Sequence, residues 1–318
     1  MRLSNSKAKT WRRCPKKYEF KYVEKLEPKQ KGVALERGSW IHELLEKYYD
    51  GDDWKAHHKK LTNQFYSLFE EQREHLGDLP QEILRIMRAY FARYHYEDSD
   101  LTVVDSELDE IVTMPNGVDL NVIIDLIVED SKGRLWAWDH KTRKNFSDSD
   151  SMLLDPQLTL YYWALQKMGY KPLAGVVYNE IRTKPPTIPE RLKSGGLTQR
   201  MNIDTDVSTY MAEIKRHGLD PQDYTKILNH IAVKQKDSFF RRTMIPKDKP
   251  VLIQAMRELG WTADEITNAT DTGHFPRTFI QGACSWDCEY KDLCITQLHG
   301  GDIEPMIKMN FQRRKKDG

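Results

Sequence analysis

Two sets of residues in this 318-residue chain are spaced for chemistry. The first is acidic. "VDLNVIIDLIVED" (118–130) alternates as a strand, "SKG" (131–133) reads as a hairpin loop ending in glycine, and "RLWAWDHKT" (134–142) is the returning strand. Counting outward from the loop sets Asp130 opposite Arg134 and Asp125 opposite Asp139. Opposed residues of a hairpin share a face, with Cβ atoms about 5 Å apart. Two carboxylates so placed repel each other unless a divalent cation lies between them. Mg2+ or Mn2+ suits the position, taking oxygen ligands from one or two carboxylates, water and substrate phosphate. Lys141 emerges on the face of Asp139, and the same period of two turns His140 away. A lysine beside the ion holds or activates the attacking water and neutralises charge building on a phosphate. The chemistry implied is metal-assisted phosphodiester hydrolysis. The plain alternative is a polar outer sheet face with a solvated edge. Against it, Asp125 inside "VIIDLIV" and Asp139 after "LWAW" have apolar neighbours that make a lone carboxylate costly. A bulge at Gly133 would slip the register by one and undo the pairing.

The second set is sulfur. The chain has four cysteines: Cys284, Cys288 and Cys294 lie together in "CSWDCEYKDLC", and Cys14 lies far upstream in "WRRCPKKYEF". Four thiolates satisfy either a zinc ion or an iron–sulfur cluster. Zinc modules usually pair two short knuckles close in sequence, unlike this one-plus-three arrangement. Disulfides do not suit the expected cytoplasmic setting, which follows from an N-terminus without the apolar core of a secretory signal.

Helices and strands must position these groups. Residues 1–98 read as mostly helical, with Ile41, Leu44, Leu45 and Tyr48 of "GSWIHELLEKYY" on one stripe. "ELDEIVTM" (107–114) precedes the hairpin as a strand, and Val118, Leu120, Val122, Ile124, Leu126 and Val128 of the next strand are expected on a single face. "DPQLTLYYWALQKMG" (155–169) is a helix with Asp155 as its cap and Pro156 in its first turn, followed by the strand "PLAGVVYNEI" (172–181). Strand, helix, strand implies a crossover, hence an α/β fold with a mixed sheet covered by helices. Residues 183–275 begin with a Pro/Gly-rich connector and continue as polar helices, read as an insertion able to roof a cleft. The expected division is 1–100 helical, 101–182 core, 183–275 insertion, 276–300 cysteine segment and 301–318 basic tail. Lys and Arg total 49 against 48 Asp and Glu, so attraction to phosphate must come from local clusters. No apolar run reaches the roughly 20 residues of a membrane span. Two stretches mix cations with rings: Arg12, Arg13, Lys16 and Lys17 among Trp11, Tyr18, Phe20 and Tyr22, and Lys234, Lys236, Arg241 and Arg242 around Phe239 and Phe240. Such mixtures suit single strands, with cations on phosphates and rings under bases, or else are helix surface over core aromatics.

"IIDLI" followed by "WDHKT" resembles the PD-(D/E)XK nuclease superfamily. "GSWIH" (38–42) resembles the glycine-to-histidine helix motif of its RecB-like branch, and "DPQLTLYYWAL" the glutamine-to-tyrosine helix motif. These stand in the family's order over residues 1–182. The resemblance implies a restriction-endonuclease-like core. It makes His42, Asp125 and Asp139 metal ligands, joined by the backbone carbonyl of His140, and Lys141 the catalytic lysine. Gln157 and Tyr161 would orient the lysine or the DNA backbone, and Glu107 would reach the site from the preceding strand. AddB-type and CRISPR-associated RecB-like nucleases join one N-terminal and three C-terminal cysteines around a [4Fe–4S] cluster, which would use Cys14, Cys284, Cys288 and Cys294. The C-x3-C-x5-C spacing differs from the commonest version, which has two residues in the first gap. The expectation is a Mg2+- or Mn2+-dependent single-strand DNA exonuclease of recombination, repair or replication, with DNA and recombination or replication proteins as partners. The alternatives are a CRISPR-adaptation endonuclease that trims ends and a non-catalytic DNA-binding module stapled by zinc.

Overall fold

A computed structural model describes residues 2–314. In chain order the elements are β1 (Arg2–Ser4), α1 (Asn5–Arg13), α2 (Pro15–Tyr18), a π-turn (Glu19–Val23), β2 (Leu26–Pro28), α3 (Val33–Tyr49), α4 (Trp54–Tyr66), α5 (Glu70–Leu76) and α6 (Leu79–Asp98). The central elements follow as β3 (Thr102–Thr113), β4 (Asp119–Glu129), β5 (Leu135–Arg143), α7 (Ser149–Leu153), α8 (Pro156–Met168) and β6 (Leu173–Arg182). Then come α9 (Val207–Arg216), α10 (Thr225–Lys234), β7 (Phe240–Ile245), α11 (Lys249–Thr272), α12 (Gln281–Trp286), α13 (Lys291–Leu298), α14 (Glu304–Asn310) and β8 (Phe311–Arg313). β8 pairs with β2, so a stretch of the expected basic tail is ordered strand, and the end of it, 315–318, lies outside the described residues.

The main sheet is mixed. β4 pairs antiparallel with β3 and β5, β5 runs parallel to β6, and β7 closes antiparallel on β6. The hairpin register is the expected one: Leu126 faces Trp138 and Glu129 faces Leu135, around a turn with Gly133 at φ 70°. β3 occupies one edge of β4. The other edge is shared, with β1 parallel to residues 119–121 and β5 paired to residues 126–129. Val122–Asp125 therefore pair with neither, which leaves a notch in the sheet.

The single apolar face expected for β4 is not observed. Leu120, Val122 and Ile124 pack with Ile127 in the cluster beneath α8, whereas Leu126 and Val128 pack on the other side with Trp136 and Trp138. The alternation slips at Asp125. Its carboxylate accepts the His140 N–H at 2.6 Å, so the side chain turns toward β5 instead of standing off the sheet. Across from it in β3, Glu107 takes a left-handed φ of 47°. That conformation costs a non-glycine residue about 1–3 kcal/mol and marks a strand bent on purpose.

α8 is buried over Leu158–Leu165, held between the sheet and helices α1 and α11, and Asp155 caps it by accepting the Gln157 N–H as expected. The opposite sheet face carries α3 and α6, whose apolar stripes meet Ile181, Phe239 and Phe240. Within 183–275, β7 joins the sheet and α11 joins the core, while α9 and α10 pack a small cluster of their own beside α6. In the two basic-aromatic stretches the rings face inward rather than forming a stacking platform, while Arg12, Lys234 and Lys236 stay exposed. Trp11, Tyr18, Phe20, Phe239 and Phe240 are buried, and Arg13, Lys17, Arg241 and Arg242 pair with Asp287, Glu289, Glu180 and Asp98. Among the described residues no helix is long and apolar enough to cross a membrane.

Candidate active site

The notch is where the candidate residues converge. α3 is pinned to the sheet by Ile41, Leu44 and Leu45, all fully buried, and this presents His42 at the rim with Nδ1 3.7 Å from Asp125 Oδ1. The distorted β3 delivers Glu107. One ligand atom each from His42, Glu107 and Asp125 lies within 4.8 Å of the other two. From β5, Lys141 Nζ donates to Asp139 Oδ1 at 2.8 Å, and both belong to the sheet face covered by α8. Asp139 is fully buried, and its second oxygen, Oδ2, has no partner. On α8, Gln157 Nε2 donates to the Tyr161 hydroxyl at 2.6 Å, as residues one turn apart can. A cleft of about 470 Å³ opens here, lined by Ser4, Lys21, Asp125, Gln157, Tyr161 and Arg314 among others. No residue of 183–275 lines it, so the expected roof is not over this opening.

The charges are crowded. Burial, then the Asp125 charge, lifts Glu107 to about 7. Burial lifts Asp139 as well; Lys141 opposes that rise and Asp125 adds to it. Burial pulls Lys141 down, but Asp139 and Asp125 outweigh it and the ammonium is retained. Burial drives Tyr161 up, helped by Asp139 and Asp125. Burial, then His42 and Arg242, drives His140 far down, so its imidazole stays neutral. That ring points away from the carboxylates, as the strand period implied, toward Asn179 at 2.8 Å. A divalent cation fits this arrangement. It would offset the Asp125 charge that adds to burial in raising Glu107. His42, Glu107 and Asp125 are the side chains placed together to hold it; Asp139, expected as a ligand, lies outside that cluster and is engaged by Lys141.

The sulfur residues are brought near one another only by segment. Cys14 sits at the α1–α2 junction, where Arg13 pairs with Asp287 at 2.7 Å and Lys17 with Glu289 at 2.6 Å, the residues on either side of Cys288. Cys288 and Cys294 flank a cluster built from Phe20, Leu26, Tyr290 and Phe311. All four cysteines are free thiols, and among the described residues no three come within 4.8 Å of one another. A lone tetrahedral ion with bonds of about 2.3 Å holds its thiolates about 3.8 Å apart, so that tighter geometry is not formed.

Sequence reasoning weighted Asp139 above Glu107, yet Glu107 is the acid that joins His42 and Asp125. Its signal was available in its place across from Asp125, between the pairs Ser106–Leu126 and Leu108–Ile124. The central mixed sheet flanked by helices is a restriction-endonuclease-like architecture. The sequence profile of the PD-(D/E)XK nuclease superfamily matches residues 2–295, and the chain belongs to that superfamily. Among solved structures it is similar to a proposed exonuclease from Eubacterium rectale, at 12% identity and a TM-score of 0.50, over 94% of this chain and 93% of that one. A search of curated proteins finds no match.

Proposed function

We propose that the protein is a Mg2+- or Mn2+-dependent deoxyribonuclease that removes nucleotides from DNA ends, acting on single strands. The observation that carries this reading is the meeting of His42, Glu107 and Asp125 within 4.8 Å at the sheet notch, beside the buried Asp139–Lys141 pair. The similarity to a proposed exonuclease supports the choice of end-directed action. When bound, a divalent cation supplies Lewis acidity at the scissile phosphate and eases the deprotonation of water. The protein does the rest by placement. Lys141, kept charged by Asp139, offers an ammonium to a non-bridging phosphate oxygen or to the attacking water. Tyr161 and Gln157 fix each other on the cleft wall, so that Gln157 approaches the DNA backbone in one orientation. Lys21 and Arg314 bring positive charge to the same wall.

The four cysteines are read as ligands of a [4Fe–4S] cluster that ties the N-terminal helices to the C-terminal segment. The support is the thiol count, with none spare, and the two ion pairs that bring Cys14 toward Cys288. Labelled single-stranded oligonucleotides, blocked at one end or the other, test the enzyme reading with either metal. Loss of label that requires Mn2+ or Mg2+ and vanishes in Asp139→Ala and Lys141→Ala supports it. Survival of activity in both variants refutes the site. Purified protein that is brown and contains iron and labile sulfide supports the cluster, and colourless protein containing zinc refutes it.

A further inference from the structure

Behind the notch, on the face covered by α3 and α6, a chain of buried polar groups ends at His140. Arg242 of β7 pairs with Asp98 of α6 through two hydrogen bonds of 2.5 and 3.0 Å. The same guanidinium donates to the Tyr90 hydroxyl at 2.9 Å and the Tyr49 hydroxyl at 3.0 Å. Asn179 of β6, fully buried, donates Nδ2 to the Tyr90 hydroxyl at 2.9 Å and to His140 Nδ1 at 2.8 Å. His140 stacks on Tyr49 with ring centroids 6.0 Å apart and planes 12° off parallel.

His140 then touches two of the prospective metal ligands. Its backbone N–H holds Asp125 Oδ2 at 2.6 Å, and its ring lies T-shaped to that of His42 with centroids 5.9 Å apart. This matters because the β4–β5 ladder stops at Leu126–Trp138. Beyond that pair no ladder bond fixes β5 against β4. The separation of Asp125 from β5 is set by this one hydrogen bond, by the β6 ladder and by whatever holds the His140 side chain. An apolar residue at 179 would fill the space as well, and a buried polar network is often no more stabilising than an apolar replacement. What the network adds is a defined position.

We propose that Asn179 is a positioning residue for the metal site. It acts through His140 on the Asp125 carboxylate and the His42 ring, and the Arg242–Asp98 pair fixes it by way of Tyr90. The inference rests on the metal site proposed above. Outer partners of metal ligands typically change affinity by about 10–100-fold when removed.

The test is Mn2+ titration by calorimetry on the full chain without DNA, with thermal unfolding measured in parallel. Asn179→Leu is expected to weaken Mn2+ binding about tenfold or more. Tyr90→Phe removes only the hydroxyl that holds Asn179, and it is expected to weaken binding by a smaller factor; it carries the test should Asn179→Leu not fold. Ile181→Ala sits two residues along β6 in the α3–α6 cluster. It is expected to lower the melting temperature while leaving Mn2+ affinity unchanged. Wild-type affinity in both Asn179→Leu and Tyr90→Phe, or an equal loss in Ile181→Ala, would overturn the proposal alone. Wild-type protein that takes up no Mn2+ would overturn the metal-site reading and this proposal together.

Discussion

Glu107→Gln gives the most direct test of the charge crowding at the notch. The carboxyl rises from its ordinary 4.5 to about 7 in the folded chain. At about 1.36 kcal/mol per pH unit, that gap corresponds to about 3 kcal/mol. Water screens a half-exposed side chain, so roughly half of it, about 1.5 kcal/mol, is the reasonable expectation. The sign follows from linkage. A group whose folded pKa is raised supports the fold fully below 4.5, and that support is lost as pH climbs through about 7. Metal-free protein in chelator should therefore melt lower at pH 8 than at pH 5. Glutamine carries no charge to repel Asp125. Glu107→Gln in chelator should match wild type near pH 4 and melt about 3 °C higher at pH 8, at about 2 °C per kcal/mol for a chain of this size. Saturating Mn2+ should reverse the order at pH 8, because the variant has one ligand fewer and gains less from the ion. Differential scanning calorimetry from pH 4 to 8, with chelator and with Mn2+, reads all four conditions. A variant that melts below wild type in chelator at pH 8, or that gains as much from Mn2+, would refute the account of Glu107 as a strained, repelled ligand.

Lys141→Met removes the ammonium beside Asp139 but no ligand. Cleavage of labelled DNA should fall about 10²–10³-fold, while Mn2+ affinity by calorimetry stays level or tightens. Arg242→Met leaves the Asp98 carboxylate buried without its cation, with only the Tyr49 hydroxyl donating to it, so urea unfolding should show a loss of about 3 kcal/mol; adding Asp98→Leu should restore most of it. Arg13→Ala breaks a pair between two well-exposed side chains, and its unfolding free energy should stay within about 1 kcal/mol of wild type.

Much of the core was readable because its signals are local. Gly133 fixed the loop and the register of residues 126–129 against 135–138, but the expected direct opposition of Asp125 and Asp139 is not formed, because the ladder ends at Leu126–Trp138 and Asp125 turns to the His140 N–H. The Asp155–Pro156 cap fixed the start of α8, and with it the Gln157–Tyr161 pair. What was not readable depends on contacts distant in sequence. Trp11 and Phe240 lie among cations just as strand-binding rings do. Only their partners, Glu265 for the Trp11 indole and α6 for Phe240, show that they are core. The three residues of β1 carry no strand pattern of their own, yet they decide the sheet.

The notch joins these two kinds of information. An ordinary hairpin would pair β4 and β5 along their whole length, and Asp125 would then project from a flat, closed sheet. Because β1 takes the edge at 119–121 and β5 is drawn to β6, the two strands diverge immediately beyond Leu126–Trp138. The freed His140 N–H must find an acceptor, and the Asp125 carboxylate provides one from within the sheet plane. That turn brings Asp125 into reach of His42 from one face and leaves Asp139 and Lys141 on the other. The candidate ligands then come from α3 and from the two bent strands β3 and β4 at one point. The left-handed Glu107 is the cost of bending β3 to follow, and its carboxylate, delivered to the same point, is the return.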